Sequence, residues 1–148
     1  MARPPLQLPP EPFGLCALPE LGRALAAQLQ SGDIILLYGD LGAGKTALVR
    51  AITAALGVDP AEVGSPTFAL VHTYDGAAWP VVHADLYRLE SVAELQAAGL
   101  DELLIDAQAL VFVEWPTLLE PLLPPAHYAL ELAICGDERI LTQRPACV

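Results

Sequence analysis

An apolar run, Ile34-Ile35-Leu36-Leu37-Tyr38, leads directly into Gly39-Asp40-Leu41-Gly42-Ala43-Gly44-Lys45-Thr46, and no other junction in the chain restricts the fold so strongly. The octet fits G-x-x-x-x-G-K-[ST], the phosphate-binding P-loop. An unbroken apolar run of this length reads as a strand buried on both faces, as in parallel sheets covered by helices. Lys45 to Leu56 predicts a helix closed by Gly57. Glycines at 39, 42 and 44 let backbone N–H groups turn inward around phosphate oxygens. The new helix adds its positive dipole end. The candidate nucleotide-binding residues are therefore Gly39, Asp40, Leu41, Gly42, Ala43, Gly44, Lys45, Thr46 and Ala47, and Thr46 offers its hydroxyl to Mg²⁺.

Lys45 is the one lysine of the 148-residue chain; six arginines carry the remaining positive charge. A compact ammonium fits between β- and γ-phosphates as a point charge, where a planar guanidinium is a poor substitute. The formal net charge is −11. Proteins that grip nucleic acid unaided usually present a basic face, and this chain has too few cations to build one. If nucleic acid is involved, another subunit holds it. No apolar run approaches the roughly 18 residues of a membrane span, and the first residues show no secretory pattern. The 3 cysteines lack C-x-x-C spacing, which argues against a disulfide framework or zinc knuckle and fits a reducing cytosol. The expected compartment is the cytoplasm.

The length suits one domain. Residues 1–15 read as a Pro-rich lead-in and 16–148 as a single P-loop domain. Leu18 to Gln30 predicts an amphipathic helix, with leucines at 18, 21, 25 and 29. Thr67 to Tyr74 and Val81 to Leu86 predict strands around a turn at Asp75-Gly76. Val92 to Ala98 and Leu100 to Asp106 read as short helices. Leu110 to Glu114 is a second buried strand, and Tyr128 to Cys135 with Arg139 to Gln143 a terminal hairpin. Strands interleaved with helices, followed by hairpins, predict an α/β fold: a P-loop NTPase-like three-layer sandwich with a mixed central sheet.

Several positions outside the loop can carry chemistry. P-loop enzymes hold Mg²⁺ between the loop Ser/Thr and an acid at the end of a neighbouring strand. Glu114 closes the run Leu110–Val113 and is the candidate acid, one methylene longer than the usual aspartate; the alternative is an ordinary solvated strand-end carboxylate. Asp85 shares a strand face with His83. It suits the positioning of attacking or metal-bound water, or a structural pair with Arg or His. His83 reads as a structural hydrogen-bonding partner rather than a base. Arg88 could neutralise γ-phosphate charge or form a surface ion pair. Thr67, in Ser65-Pro66-Thr67-Phe68, lies where many P-loop proteins sense the γ-phosphate, although a plain loop-to-strand turn reads equally well. Trp115 packs either near the nucleotide or in the core.

Four blocks in order resemble the TsaE (YjeE) family, the tRNA threonylcarbamoyladenosine biosynthesis ATPases. They are the P-loop octet, Ser65-Pro66-Thr67-Phe68, His83-Ala84-Asp85-Leu86-Tyr87-Arg88-Leu89 and Val113-Glu114-Trp115-Pro116. The resemblance implies an Mg²⁺-dependent, ATP-binding and ATP-hydrolysing subunit that acts with a TsaB–TsaD pair to form threonylcarbamoyladenosine at position 37 of tRNA. It implies that tRNA is held by those partners. It also implies metal roles for Thr46 and Glu114, a switch role for the segment with Thr67, and a hydrolytic role for Asp85. Catalytic candidates are thus Asp85, Thr67 and Glu114.

Rival readings separate on composition. A GTPase would normally need an [NT]-K-x-D motif, but the chain has no asparagine and no second lysine. A small-molecule P-loop kinase usually clusters arginines in a lid. Here they are scattered at 3, 23, 50, 88, 139 and 144. A nucleotide-switch regulator with little turnover stays open as an alternative.

Overall fold

The computed structural model describes residues 4–64, 71–105, 108–123 and 128–145. Its strands are β1 (Ile34–Tyr38), β2 (Val71–Asp75), β3 (Pro80–Asp85), β4 (Leu110–Glu114), β5 (Tyr128–Cys135) and β6 (Glu138–Gln143). They form one sheet in the order β2-β3-β4-β1-β5-β6. The four inner strands are mutually parallel, and β2 and β6 close the edges antiparallel to their neighbours. The helices are α1 (Leu18–Ala26), α2 (Lys45–Ala55), α3 (Val92–Ala97) and α4 (Leu100–Leu104). The expected α/β three-layer sandwich with a mixed sheet is what the chain forms.

Alternation along the strands divides the core in two. Ile35 and Leu37 face α1 and α2, packing with Leu25, Leu48, Ile52 and Phe112. Ile34 and Leu36 face the other layer, with Leu95, Leu104, Val111 and Val113. Buried on both sides, β1 and β4 had to be apolar up to their last residues, Tyr38 and Glu114. Each fully buried Leu, Ile or Phe contributes about 1.5–3 kcal/mol.

Helix α1 lies directly on α2. A Cβ built on Gly22 would fall 2.3 Å from the carbonyl oxygen of Ala51, so the two backbones meet there without an intervening side chain. The helix stops at Ala26, short of the expected Gln30. Asp33 Oδ2 accepts from the Gln30 N–H at 2.9 Å, and the chain turns through Gly32 toward β1. Leu29 stays buried even so.

The lead-in carries no helix or strand from Pro4 to Glu11, yet it is packed rather than trailing. Leu6 and Phe13 are buried in the α1/α2-side core. Phe13 bridges to Arg139 of β6, and Leu6 N donates to the Gln143 side chain.

Strand β2 starts at Val71, and the expected residues 67–70 of that strand lie outside the described residues. The expected end of the second short helix, Asp106, also lies outside the described residues, and the remaining elements agree with expectation to within a residue or two.

Candidate functional site

The P-loop joins the C-terminal end of β1 to the start of α2. Gly39, at φ 148°, lies so close to β5 that a Cβ would come 2.7 Å from the Leu132 carbonyl oxygen. Gly44 caps α2 at φ 102°, a left-handed conformation that L side chains rarely adopt. The loop borders a cavity of about 390 Å³ whose walls include Gly42, Gly44, Lys45, Thr46, Ala47, Asp85, Arg88, Glu114 and Trp115.

Lys45 is buried. Its Nζ donates to the Gly39 carbonyl at 2.7 Å and lies 3.5 Å above the centroid of the Trp115 ring. Desolvation lowers its pKa below the ordinary lysine value, and the carboxylates of Glu114, Asp85 and Asp40 oppose that shift. Trp115 is the one non-glycine residue with positive φ among the described residues, at 54°. Pro116 follows it into a 3₁₀ turn. This bend at the end of β4 turns the indole over the ammonium, and Tyr87 packs against it at 5.0 Å between ring centroids. Of the two roles open to Trp115, wall of the site and core filler, the structure shows the first.

The acids arrive by strand register. Asp85 of β3 and Glu114 of β4 are paired neighbours at the ends of parallel strands. Both lie on the face shared with Phe112 and α2, because alternation puts Val113 and Ala84 on the other. Thr46 Oγ1 donates to Glu114 Oε2 at 2.9 Å. His83 Nε2 meets the same oxygen at 2.6 Å. His83 is thus a hydrogen-bonding partner of Glu114. Asp85 Oδ1 accepts from the Tyr87 N–H at 2.9 Å, which fixes the carboxyl at the mouth of the strand.

The structure therefore brings Lys45, Thr46, Asp85, Glu114 and Arg88 around one cavity. Thr67 lies outside the described residues. Glu114 is buried, not a solvated strand-end acid. A hydroxyl touching a carboxylate oxygen offers the hard oxygen donors that Mg²⁺ prefers. Among the described residues no group of three or more His, Cys, Asp or Glu could hold a metal. A Mg²⁺ here would take one or two protein oxygens and draw the rest from phosphate and water, its usual habit at phosphoryl sites.

Sequence reading missed Arg139. From β6 its Nε donates to the Ala43 carbonyl at 3.0 Å, and Nη2 reaches the Gly42 carbonyl at 3.4 Å. Carbonyls held from outside do not compete for the loop's N–H groups, of which that of Ala43 donates to the Asp40 carbonyl at 3.0 Å. No local pattern marks this arginine, because its partners are 96 and 97 residues away in sequence. Its only trace was the scarcity of cations in the chain.

A mixed sheet whose β1 ends in a P-loop, with an acid from the adjacent parallel strand against the loop threonine, defines a P-loop NTPase-like fold. The family model described as "Threonylcarbamoyl adenosine biosynthesis protein TsaE" matches residues 15–143, and the chain belongs to that family. It is 37% identical to the tRNA threonylcarbamoyladenosine biosynthesis protein TsaE of Rickettsia bellii, over 80% of this chain and 81% of that one. It is 39% identical to the protein of that name in Mycobacterium leprae, over 86% and 84% of the two chains. The crystal structure of YdiB from Bacillus subtilis superposes with a TM-score of 0.69 at 30% identity, covering 88% of this chain and 80% of that one.

Proposed function

We propose that the chain is the ATP-binding, Mg²⁺-dependent ATP-hydrolysing subunit of tRNA threonylcarbamoyladenosine synthesis, working with a TsaB–TsaD type pair. The observation that carries the reading is the convergence of Lys45, the Thr46–Glu114 contact and Asp85 on one cavity. Family membership supplies the pathway.

Lys45 leaves the Gly39 carbonyl and the indole face to meet the β- and γ-phosphate oxygens. Backbone N–H groups from Gly42 to Ala47 and the start of α2 cradle the phosphates. Thr46 and Glu114 would hold Mg²⁺, which would supply charge screening for the phosphates. Asp85, with Oδ1 pinned by Tyr87 N–H, presents Oδ2 to orient the attacking water. The neighbouring cleft, lined by Phe13, Leu15, Leu18 and Arg139, takes the base side of the nucleotide. The net charge of −11 suits a subunit that leaves tRNA to its partners. A part in tRNA modification is consistent with work in the cytoplasm.

The test is ATP turnover by the chain alone, with the partner pair, and with the pair plus tRNA. Phosphate release to water should rise when the pair is added. Lys45→Ala should abolish binding of an ATP analogue, since the loop loses its one ammonium. Tight binding by that variant would overturn the phosphate assignment.

A further inference from the structure

His83 is fully buried, at 0% exposure, on the β3 face that also carries Asp85. Its Nε2 lies 2.6 Å from Glu114 Oε2, and its Nδ1 is buried with no hydrogen-bond partner among the described residues. A proton on Nδ1 would strand a donor away from water, at the cost of its desolvation. If it were the ring's sole N–H proton, it would also set the Nε2 lone pair against a carboxylate oxygen. A proton on Nε2 satisfies the short contact and leaves only a bare lone pair in the dry interior.

From this geometry we infer that His83 is a positioning residue: it donates Nε2–H to Glu114 and fixes the carboxylate in the orientation needed to hold the divalent cation of the nucleotide complex. The inference rests on the metal role of Glu114 proposed above. Glutamate has one more rotatable bond than aspartate, so a free side chain of this kind loses more rotamer entropy when ordered. Thr46 restrains Glu114 from the loop side, and its hydroxyl can keep its O–H on the carboxylate while a lone pair meets the cation. The bond from His83 comes from a different strand and survives cation binding. Both donors fall on Oε2, so neither occupies Oε1. Partners behind a ligating side chain commonly matter 10–100-fold in metal affinity.

The experiment uses the full chain with ADP and Mn²⁺, reading free Mn²⁺ by electron paramagnetic resonance, beside ¹⁵N NMR of the imidazoles of the nucleotide-free protein. The signal lost in His83→Gln identifies His83. It should report Nε2 protonated and Nδ1 bare. In His83→Gln the amide nitrogen falls near the former Nε2, and Mn²⁺ affinity should stay within about threefold of the parent. In His83→Asn the nitrogen falls near Nδ1 instead, and Mn²⁺ affinity should drop about tenfold or more. ADP affinity without metal should be unchanged in both variants.

A proton on Nδ1 with Nε2 bare would overturn the inference even if a variant fails to fold. So would equal Mn²⁺ affinities for His83→Gln and His83→Asn. Glu114→Gln separates the two levels. Weakened Mn²⁺ binding there, with parent-like binding in His83→Asn, removes the role of His83 alone. Parent-like binding in Glu114→Gln removes the metal assignment itself.

Discussion

Arg139 should hold the P-loop in its phosphate-ready shape from behind, and Arg139→Ala should show it. A hydrogen bond to a charged group is worth about 1.5–3 kcal/mol when well made. The 3.0 Å bond to Ala43 is of that kind, whereas the 3.4 Å contact with Gly42 is at the outer limit. The side chain is only half-buried, so the lower end applies, and the pair together contributes about 1.5–2 kcal/mol. If that energy separates the closed loop from looser forms, its loss lowers phosphate affinity about tenfold, one decade per 1.4 kcal/mol. Melting should fall by about 3–8 °C for a domain of this size. The assay is calorimetric titration with ATP analogue, ADP and inorganic tripolyphosphate. Because the effect passes through the loop, tripolyphosphate should lose as much affinity as ATP does. Arg139→Lys, which can reach one carbonyl, should be intermediate. Unchanged tripolyphosphate affinity in a folded Arg139→Ala protein would refute the brace.

Three further outcomes are expected. Asp85→Ala should bind ATP nearly as the parent does yet hydrolyse it at least about a hundredfold more slowly with the partner pair, the lower range for loss of a positioned acid–base group; parent-like turnover would remove its water-orienting role. Gly22→Ala should destabilise the fold by about 1–3 kcal/mol in urea titration, because its methyl would sit 2.3 Å from the Ala51 oxygen; an unchanged midpoint would mean that α1 and α2 separate freely. Tyr38, half-buried and hydrogen-bonded to Glu120, has its phenol pKa raised above 10 by burial first and then by that carboxylate. Above pH 10 the unfolded chain sheds this proton while the fold keeps it, so stability present below pH 10 is lost as pH rises through the folded value. Urea midpoints of Tyr38→Phe should therefore fall less steeply than the parent's on crossing pH 10, and parallel slopes would contradict the assignment.

What the sequence exposed was whatever depends on neighbours along the chain. The pentad Ile34–Tyr38 could only be a strand covered on both faces, and the glycines after it had to turn. Glu114 stood out because it closes the apolar run Leu110–Val113. The layered architecture followed from the spacing of these units. Contacts between distant segments left no such mark. Gly22 reads as a weakness in a helix until Ala51 is seen against it. The proline-rich lead-in gives no sign that Leu6 and Phe13 are core residues, because its burial is set by β6 and α1 rather than by its own pattern. Helix α1 was expected to reach Gln30, since leucine spacing continues through Leu29; the ladder instead tightens to i→i−3 bonds at Gln28 and Leu29, and Asp33 takes the Gln30 donor beyond them, a change that periodicity does not record. The bond between His83 and Glu114 joins strands 31 residues apart, and nothing in either local pattern requires it.

The berth of Lys45 on Trp115 changes what nucleotide binding must accomplish. A lysine waving in water surrenders about 2 kcal/mol of side-chain freedom when a phosphate captures it. Here the ammonium is already docked, between a carbonyl at 2.7 Å and an indole face at 3.5 Å. On the proposed function, arrival of a phosphate would be an exchange of partners, with the disorder already removed during folding. The same exchange strips a cation from one of the protein's two tryptophans. The other, Trp79, packs at the edge of the α1/α2-side core. With Trp79 replaced by phenylalanine, indole emission becomes a gauge of where the chain's single ammonium resides, readable in milliseconds and without a label.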